Sequence, residues 1–244
     1  MANVLILGAT SAIAADLARI FDERGDALYL VGRSAEKLEE LLGGLSGVVG
    51  SASADFTDTD GNARVVQDAI DRLGGVDVAV IAHGLLGDQL RSEVDFAEAA
   101  AIIQTNFTSA VSLLLPIANH MEARGRGRIV VLSSVAGERG RPRNFTYGAA
   151  KGGLTIYLQG LRSRLWPKVS VHTIKLGPVH TPMTVGHPKN RLFAESDRVA
   201  RDIVAAYEAG RAEAYVPWYW RPIMGAVTAL PERIFQRFGF LSGR

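Results

Sequence analysis

The sequence predicts an α/β fold, a doubly wound parallel sheet in a single domain. Short, continuous apolar runs alternate with amphipathic segments of helical period along the chain. Such runs suit strands covered on both faces in a parallel sheet. Turns of small residues follow the first and fourth runs, and the polar residues that stand out collect where strands end. In doubly wound sheets that carboxyl edge is where ligands bind.

Asn3-Val4-Leu5-Ile6-Leu7 is the first strand. It enters Gly8-Ala9-Thr10-Ser11-Ala12-Ile13-Ala14, then a helix with Ile13, Leu17, Ile20 and Phe21 on one face. Strand, small-residue turn and helix is the layout that sets a pyrophosphate against helix N-terminal amides. Gly8, Thr10, Ser11, Ala12 and Ile13 are therefore candidate cofactor contacts, although the spacing departs from G-x-G-x-x-G and tight turns of this kind also occur without a ligand. A second strand, 27–31, ends in Gly32-Arg33-Ser34, and a helix follows over 36–42. Where an NAD site would place an acid for the ribose hydroxyls stands Arg33. A guanidinium suits a 2′-phosphate, which favours NADP with NAD as the alternative; without a dinucleotide, Arg33 is a solvated loop residue.

A third strand, 48–53, is followed by Asp55-Phe56 and a helix over 59–73. Gly74-Gly75 leads into the fourth strand, 76–81, which ends in Ala82-His83-Gly84. His83 has no second His or acid at ligand spacing, so a lining or structural role fits it better than a base or a ligand, and no metal site is predicted. The segment 96–121 reads as one long helix with Ile103, Phe107, Ala110 and Leu114 toward the core. Asn106 falls in that stripe and, as a buried amide, must be hydrogen-bonded, either as a structural bridge or in a polar relay. The fifth strand, 128–132, delivers Ser134 at its end.

Tyr147 and Lys151 stand one helical turn apart. Their face continues through Leu154, Leu158, Leu161 and Leu165, so both point toward the packed side. A phenol beside a fixed positive charge in a partly desolvated place should lose its proton more easily, which makes Tyr147 a candidate acid/base. An amphipathic helix with a snorkelling lysine has the same spacing. The chain continues through a strand, 169–176, the turn Gly177-Pro178-Val179-His180-Thr181-Pro182-Met183, a helix over 196–209 and a last strand near 214–216. The catalytic and dinucleotide-binding domain is thus expected over residues 1–216.

Residues 217–244 form an aromatic and basic tail. Trp218, Tyr219, Trp220 and Pro222 precede Ile223, Val227 and Leu230 at helical spacing, and Ile234, Phe235 and Phe238 mix with Arg233 and Arg237. That mixture suits a helix lying at a membrane interface, and equally a substrate lid or subunit contact. Arg139, Arg141 and Arg143 lie between Ser134 and Tyr147, on a loop that could reach a substrate phosphate; a solvated basic loop has the same composition.

Composition bounds the function. The 244 residues are 48% hydrophobic and 21% charged, which suits one sizeable core. A formal charge of +2 is too small for a nucleic-acid surface. The absence of cysteine excludes disulfides, thiolate metal sites and cysteine nucleophiles. No basic n-region or cleavage site opens the chain, and no run approaches the roughly 18 apolar residues of a membrane span. A cytoplasmic protein is expected, with the tail as the one segment suited to peripheral contact at the inner membrane face.

The whole pattern resembles the short-chain dehydrogenase/reductase family over roughly residues 3–216, with its Rossmann fold. Gly8, Ala12 and Ala14 match the glycine motif, Asp55 the adenine-contacting acid, and Asn106, Ser134, Tyr147 and Lys151 the catalytic tetrad. Thr181 matches the residue that holds the nicotinamide carboxamide; Phe56, His83, Gly84, Gly177 and Val179 complete the implied cofactor set. Ala82-His83-Gly84 replaces the usual Asn-Ala-Gly, and Leu176 the proline before Gly177. The resemblance implies hydride transfer between a nicotinamide cofactor and a carbonyl or secondary alcohol. Tyr147 would exchange the proton with the substrate oxygen, and Lys151 would lower its pKa and bind the ribose. Ser134 would orient the substrate, and Asn106 would hold a water leading to solvent. It also implies a homodimer or homotetramer. Segments 76–88, 136–148 and 216–235 resemble family members that reduce a polyprenylphosphoryl 2-keto-pentose, a lipid-linked carbonyl substrate. A catalytically silent dinucleotide sensor of the same fold is the competing reading.

Overall fold

The computed structural model describes residues 1–185 and 192–237. Phe238 and the end of the tail lie outside them. The order is β1 (Asn3–Leu7), α1 (Ala12–Glu23), β2 (Ala27–Gly32), α2 (Ala35–Leu42), β3 (Val48–Ser53), α3 (Thr59–Leu73), β4 (Val78–Ile81), α4 (Gln89–Ser92), α5 (Phe96–Ile103), α6 (Ser109–Arg124), β5 (Gly127–Ser134), α7 (Phe145–Leu165), β6 (Val169–Leu176), α8 (Ser196–Glu208), β7 (Glu213–Val216), α9 (Trp220–Ala229) and α10 (Glu232–Arg237). The seven described strands pair in parallel in the order β3-β2-β1-β4-β5-β6-β7. This is the expected doubly wound Rossmann sheet. Its order reverses between β1 and β4, which is where such sheets open a crevice.

Alternation within each strand divides the core. Val4, Ile6, Leu28, Leu30, Val80 and Val130 pack beneath α1, α2 and α8. Leu5, Leu7, Val31, Ile81, Ile129 and Val131 pack beneath α3, α6 and α7. Successive side chains of a strand point to opposite faces, so runs such as Val4 to Leu7 must be apolar throughout.

Two expectations about the segment from residue 96 change. It is not one continuous α-helix, because a π-helical turn, Gln104–Thr108, separates α5 from α6. Moreover, Phe96–Arg124 is long and apolar enough to cross a membrane, with a mean hydropathy of 1.4 over its best window. One face of it is core instead: Ala110, Leu113, Leu114, Ile117, Ala118 and Met121 are buried against the sheet.

The tail forms a third, small core. Trp220, Met224, Val227 and Phe235 are buried together with Val135, just beyond β5. The apolar stripe of the tail packs onto the domain over the β5 end, and Trp218 and Ile234 remain exposed.

Candidate active site

At the first crevice wall, Gly8 adopts a φ of +87° and its amide bonds the Val31 carbonyl at 2.9 Å. A β-carbon there would lie 2.6 Å from the His83 backbone nitrogen, so only glycine lets the β1 and β4 turns approach. Ser11 caps α1 by accepting the Ala14 amide at 3.3 Å. The remaining first-turn amides, with Thr10, Ala12 and Ile13 around them, form a cradle for an anion. Arg33 is exposed just beyond β2. Asp55, beyond β3, accepts the amide and hydroxyl of Thr57 at 3.0 and 2.8 Å. Those bonds, and to a lesser degree the nearby charge of Arg33, hold its carboxyl below the usual range. Phe56 is buried, its ring centre 4.8 Å from that of His83 and tilted 56° to it.

His83 is tied into the fold rather than poised as a base. Ser109 gives its proton to the Thr105 carbonyl at 2.7 Å, so the 2.8 Å contact to His83 Nε2 is donated by the imidazole. Burial, reinforced by the Lys151 charge, pulls the His83 pKa down to about 3, and the neutral ring leaves Nδ1 without a partner. Beside it, Asn106 sits on the π turn and is 1% exposed. It donates to the Ile102 and Leu85 carbonyls at 2.8 and 2.6 Å and accepts the Leu85 amide at 3.2 Å. One amide proton thus braces the loop after Gly84 and the other α5, so the side chain forms a bridge between them.

Ser134, Tyr147 and Lys151 come together at the end of β5. Ser134 Oγ accepts the Ala136 amide at 3.1 Å and donates to the Leu176 carbonyl at 3.5 Å, close enough to the Tyr147 phenol to favour its ionised form. Lys151, 4% exposed, donates from Nζ to the Leu132 carbonyl at 2.9 Å, with Nζ 6.0 Å from the centre of the Tyr147 ring. Burial pulls the lysine down to about 8. Burial pushes Tyr147 up to about 12, opposed by the neighbouring Ser134 hydroxyl, so the phenol is held protonated here.

Three glycines that sequence reading passed over fix this geometry. A β-carbon on Gly148 would lie 2.7 Å from the Ala136 carbonyl oxygen, and one on Gly152 2.8 Å from that of Gly137. The turn after Ser134 therefore rests directly on the α7 backbone, one residue past Tyr147 and one past Lys151. The recurrence of glycine four residues apart was the available signal.

Beyond β6, Gly177 lies flat against the Trp220 indole, where any side chain would overlap its ring nitrogen. Val179 is 5% exposed and bridges to Ala194, so its side chain belongs to the core. Thr181 opens the short turn Pro182–Thr184 and donates its amide to Thr184 Oγ1 at 3.2 Å.

The three loop arginines part company. Arg139 reaches the carbonyls of Val227, Thr228 and Leu230 at 3.2, 3.3 and 2.6 Å, pairs with Glu232 at 2.8 Å and stacks 4.3 Å from Phe235. It caps the end of α9, which removes it from the predicted substrate set. Arg141 places Nη2 3.3 Å from the Met224 sulfur, and burial lowers its pKa. Arg143 is exposed. Behind the loop, Lys175 bonds Glu138 and Glu213 at 2.7 Å each, and Tyr215 donates to Glu138 at 2.6 Å. Burial works against the lysine charge, but these carboxylates outweigh it and hold the ammonium above its ordinary range.

Residues 2–191 match the family model described as short chain dehydrogenase. An uncharacterized oxidoreductase of Mycobacterium tuberculosis is 35% identical over 241 residues, covering 97% of this chain and 96% of its own. The chain belongs to the short-chain dehydrogenase family. A second member of that oxidoreductase family, also uncharacterized, from Streptomyces coelicolor, is 34% identical over 242 residues, with 96% and 95% covered. The fold of this short-chain dehydrogenase is that of a Burkholderia cenocepacia family member crystallised with NADP, at a TM-score of 0.83 and 22% identity, with 97% and 96% covered.

Proposed function

We propose that this short-chain dehydrogenase moves a hydride between NADP(H) and a carbonyl or secondary alcohol, with Tyr147 as the acid/base. The observation that carries the reading is the Ser134–Tyr147–Lys151 group: a phenol with a serine hydroxyl beside it and a buried ammonium, bonded to one protein acceptor, 6.0 Å from its ring centre. A dinucleotide fits the residues around it. Gly8 leaves backbone bare against His83, α1 offers its first-turn amides, and Arg33 stands exposed where a 2′-phosphate would need a cation. Gly84, Gly177 and Thr181 line the same strand ends. When bound, the nicotinamide supplies the hydride.

The chain's own residues do the rest. Protonated Tyr147 gives its hydrogen to the oxygen formed at the reduced carbon, and Ser134 holds that oxygen in place. Lys151, with one carbonyl on its ammonium, would hold the nicotinamide ribose, and its charge favours the phenolate that remains. Loop and tail resemble the reductase subunit of decaprenylphosphoryl-ribose 2′-epimerase, so a polyprenylphosphoryl 2-keto-pentose is the finer substrate candidate. A cytoplasmic homodimer or homotetramer is part of the same proposal.

The test is NADPH oxidation with a panel of simple ketones and a phosphorylated keto-pentose. Turnover should fall about a hundredfold or more in Tyr147→Phe. Dinucleotide binding with no turnover on any carbonyl, unaltered by Tyr147→Phe, would instead make the chain a silent sensor.

A further inference from the structure

Five buried side-chain atoms among the described residues lack a hydrogen-bond partner: His83 Nδ1, Glu138 Oε2, Arg141 Nε, His180 Nδ1 and Trp220 Nε1. All five follow the carboxyl end of a strand, β4, β5, β6 or β7. Buried polar groups are nearly always paired, so an unpaired set confined to one edge marks where something else supplies the partners. Two of the five are donors on one small structure. Trp220 is 5% exposed and Met224 fully buried, one turn apart on the same face of α9. Arg141 touches Met224, and the Trp220 ring nitrogen abuts Gly177 at the end of β6.

The arginine stands out against its neighbours. Arg139 has three carbonyls and Glu232; Arg162 has the Val171 and Ala212 carbonyls and Glu213. Arg141, by contrast, turns toward a thioether, a weak acceptor, and pairs with no carboxylate among the described residues. A guanidinium stays charged in proteins, and leaving its Nε buried without a partner is costly. Val135, the residue after Ser134, belongs to the same small core as Trp220 and Met224, so that core reaches the β5 end that carries Ser134.

We infer that Arg141 and Trp220 form an oxyanion subsite beneath α9 that holds a carboxylate or phosphate of the carbonyl substrate. The inference rests on the reductase reading above and deepens it: of the three loop arginines, Arg141 alone is assigned the substrate anion. Arginine supplies charge and planar donors, and the indole supplies one further N–H. Trp220 thereby ties the tail to substrate selection.

The test uses the full chain with NADPH and matched substrates: a 3-oxo acid against its methyl ester, and a keto-pentose phosphate against the free sugar. Which acid is preferred separates a carboxylate from a phosphate ligand. In the wild type each anion should exceed or match its neutral partner in kcat/KM. In Arg141→Met the anion-to-neutral ratio should fall about tenfold or more, the weight of a charge-assisted hydrogen bond. Arg141→Lys should restore part of it, and Trp220→Phe should lower it by a smaller factor. A second readout needs no turnover: inorganic phosphate or acetate should raise the Tm of the wild-type NADPH complex and not that of Arg141→Met. That shift without turnover would keep the subsite and sink the reductase reading. Turnover with equal ratios in wild type and Arg141→Met, and equal anion effects on Tm, would overturn the subsite alone.

Discussion

The two halves of the carboxyl edge are built on different principles. After β1, β2, β3 and β4 the chain offers backbone and small residues, and its charges, Arg33 and Asp55, stand in solvent. After β5, β6 and β7 the charges are drawn in and committed: Lys175 between Glu138 and Glu213, and Arg139 into the end of α9. A surface that binds through amides needs only local spacing, which any chain with the right turn can supply. A surface that binds through buried charge must first hold that charge in place, and here the struts come from β6, β7 and the tail.

Removing a strut should therefore hurt more than removing a solvated charge. Lys175→Met leaves two carboxylates facing each other without their cation and should destabilise the fold by about 3–5 kcal/mol, read from denaturant midpoints. A cost under about 1 kcal/mol would erase the distinction between the halves. Gly152→Ala forces a methyl group against the Gly137 carbonyl; about 1–3 kcal/mol of overpacking should appear, with a lower kcat because Ser134 and Lys151 are pushed apart. Arg139→Ala should cost about 2 kcal/mol and loosen the tail, seen as faster proteolysis beyond residue 230.

On the solvated side, Arg33→Ala should leave stability within about 0.5 kcal/mol while weakening NADPH about tenfold more than NADH. Equal losses would argue against NADP. The last prediction concerns pH. Lys151 titrates near 8 when folded against 10.5 ordinarily. Between those values the unfolded chain binds more protons, so stability should rise with pH above about 8. Tyr147, raised to about 12 from 10.0, works in the opposite sense above pH 10. Lys151→Met should abolish the rise between roughly pH 8 and 10.

The same division explains what could be read in advance. Strand positions, the Gly8 turn, and the spacing of Ser134, Tyr147 and Lys151 follow from local pattern, and the sheet assembles them as that pattern implies. Arg139 defeated the reading because its partners lie 88 to 93 residues away; nothing near it in the chain distinguishes it from Arg141. The tail is ambiguous for a related reason: an apolar stripe beside arginines has the same signature whether it meets lipid or Val135. How deep Tyr147 lies, and so how far burial raises its pKa, depends on the elements packed over α7 and is not visible in the spacing.

The π turn at Asn106 has a consequence for how this chain can change. Such a turn holds one residue more than the α-helix around it would need. Loss of a single codon within 104–108 would let α5 and α6 fuse into one regular helix, a local gain in regularity. Because the flanking halves already keep their phase across the turn, the deletion would reset only the residues within it, Asn106 among them. An in-frame deletion there should therefore give a well-folded protein that has lost the Asn106 bridge to Leu85.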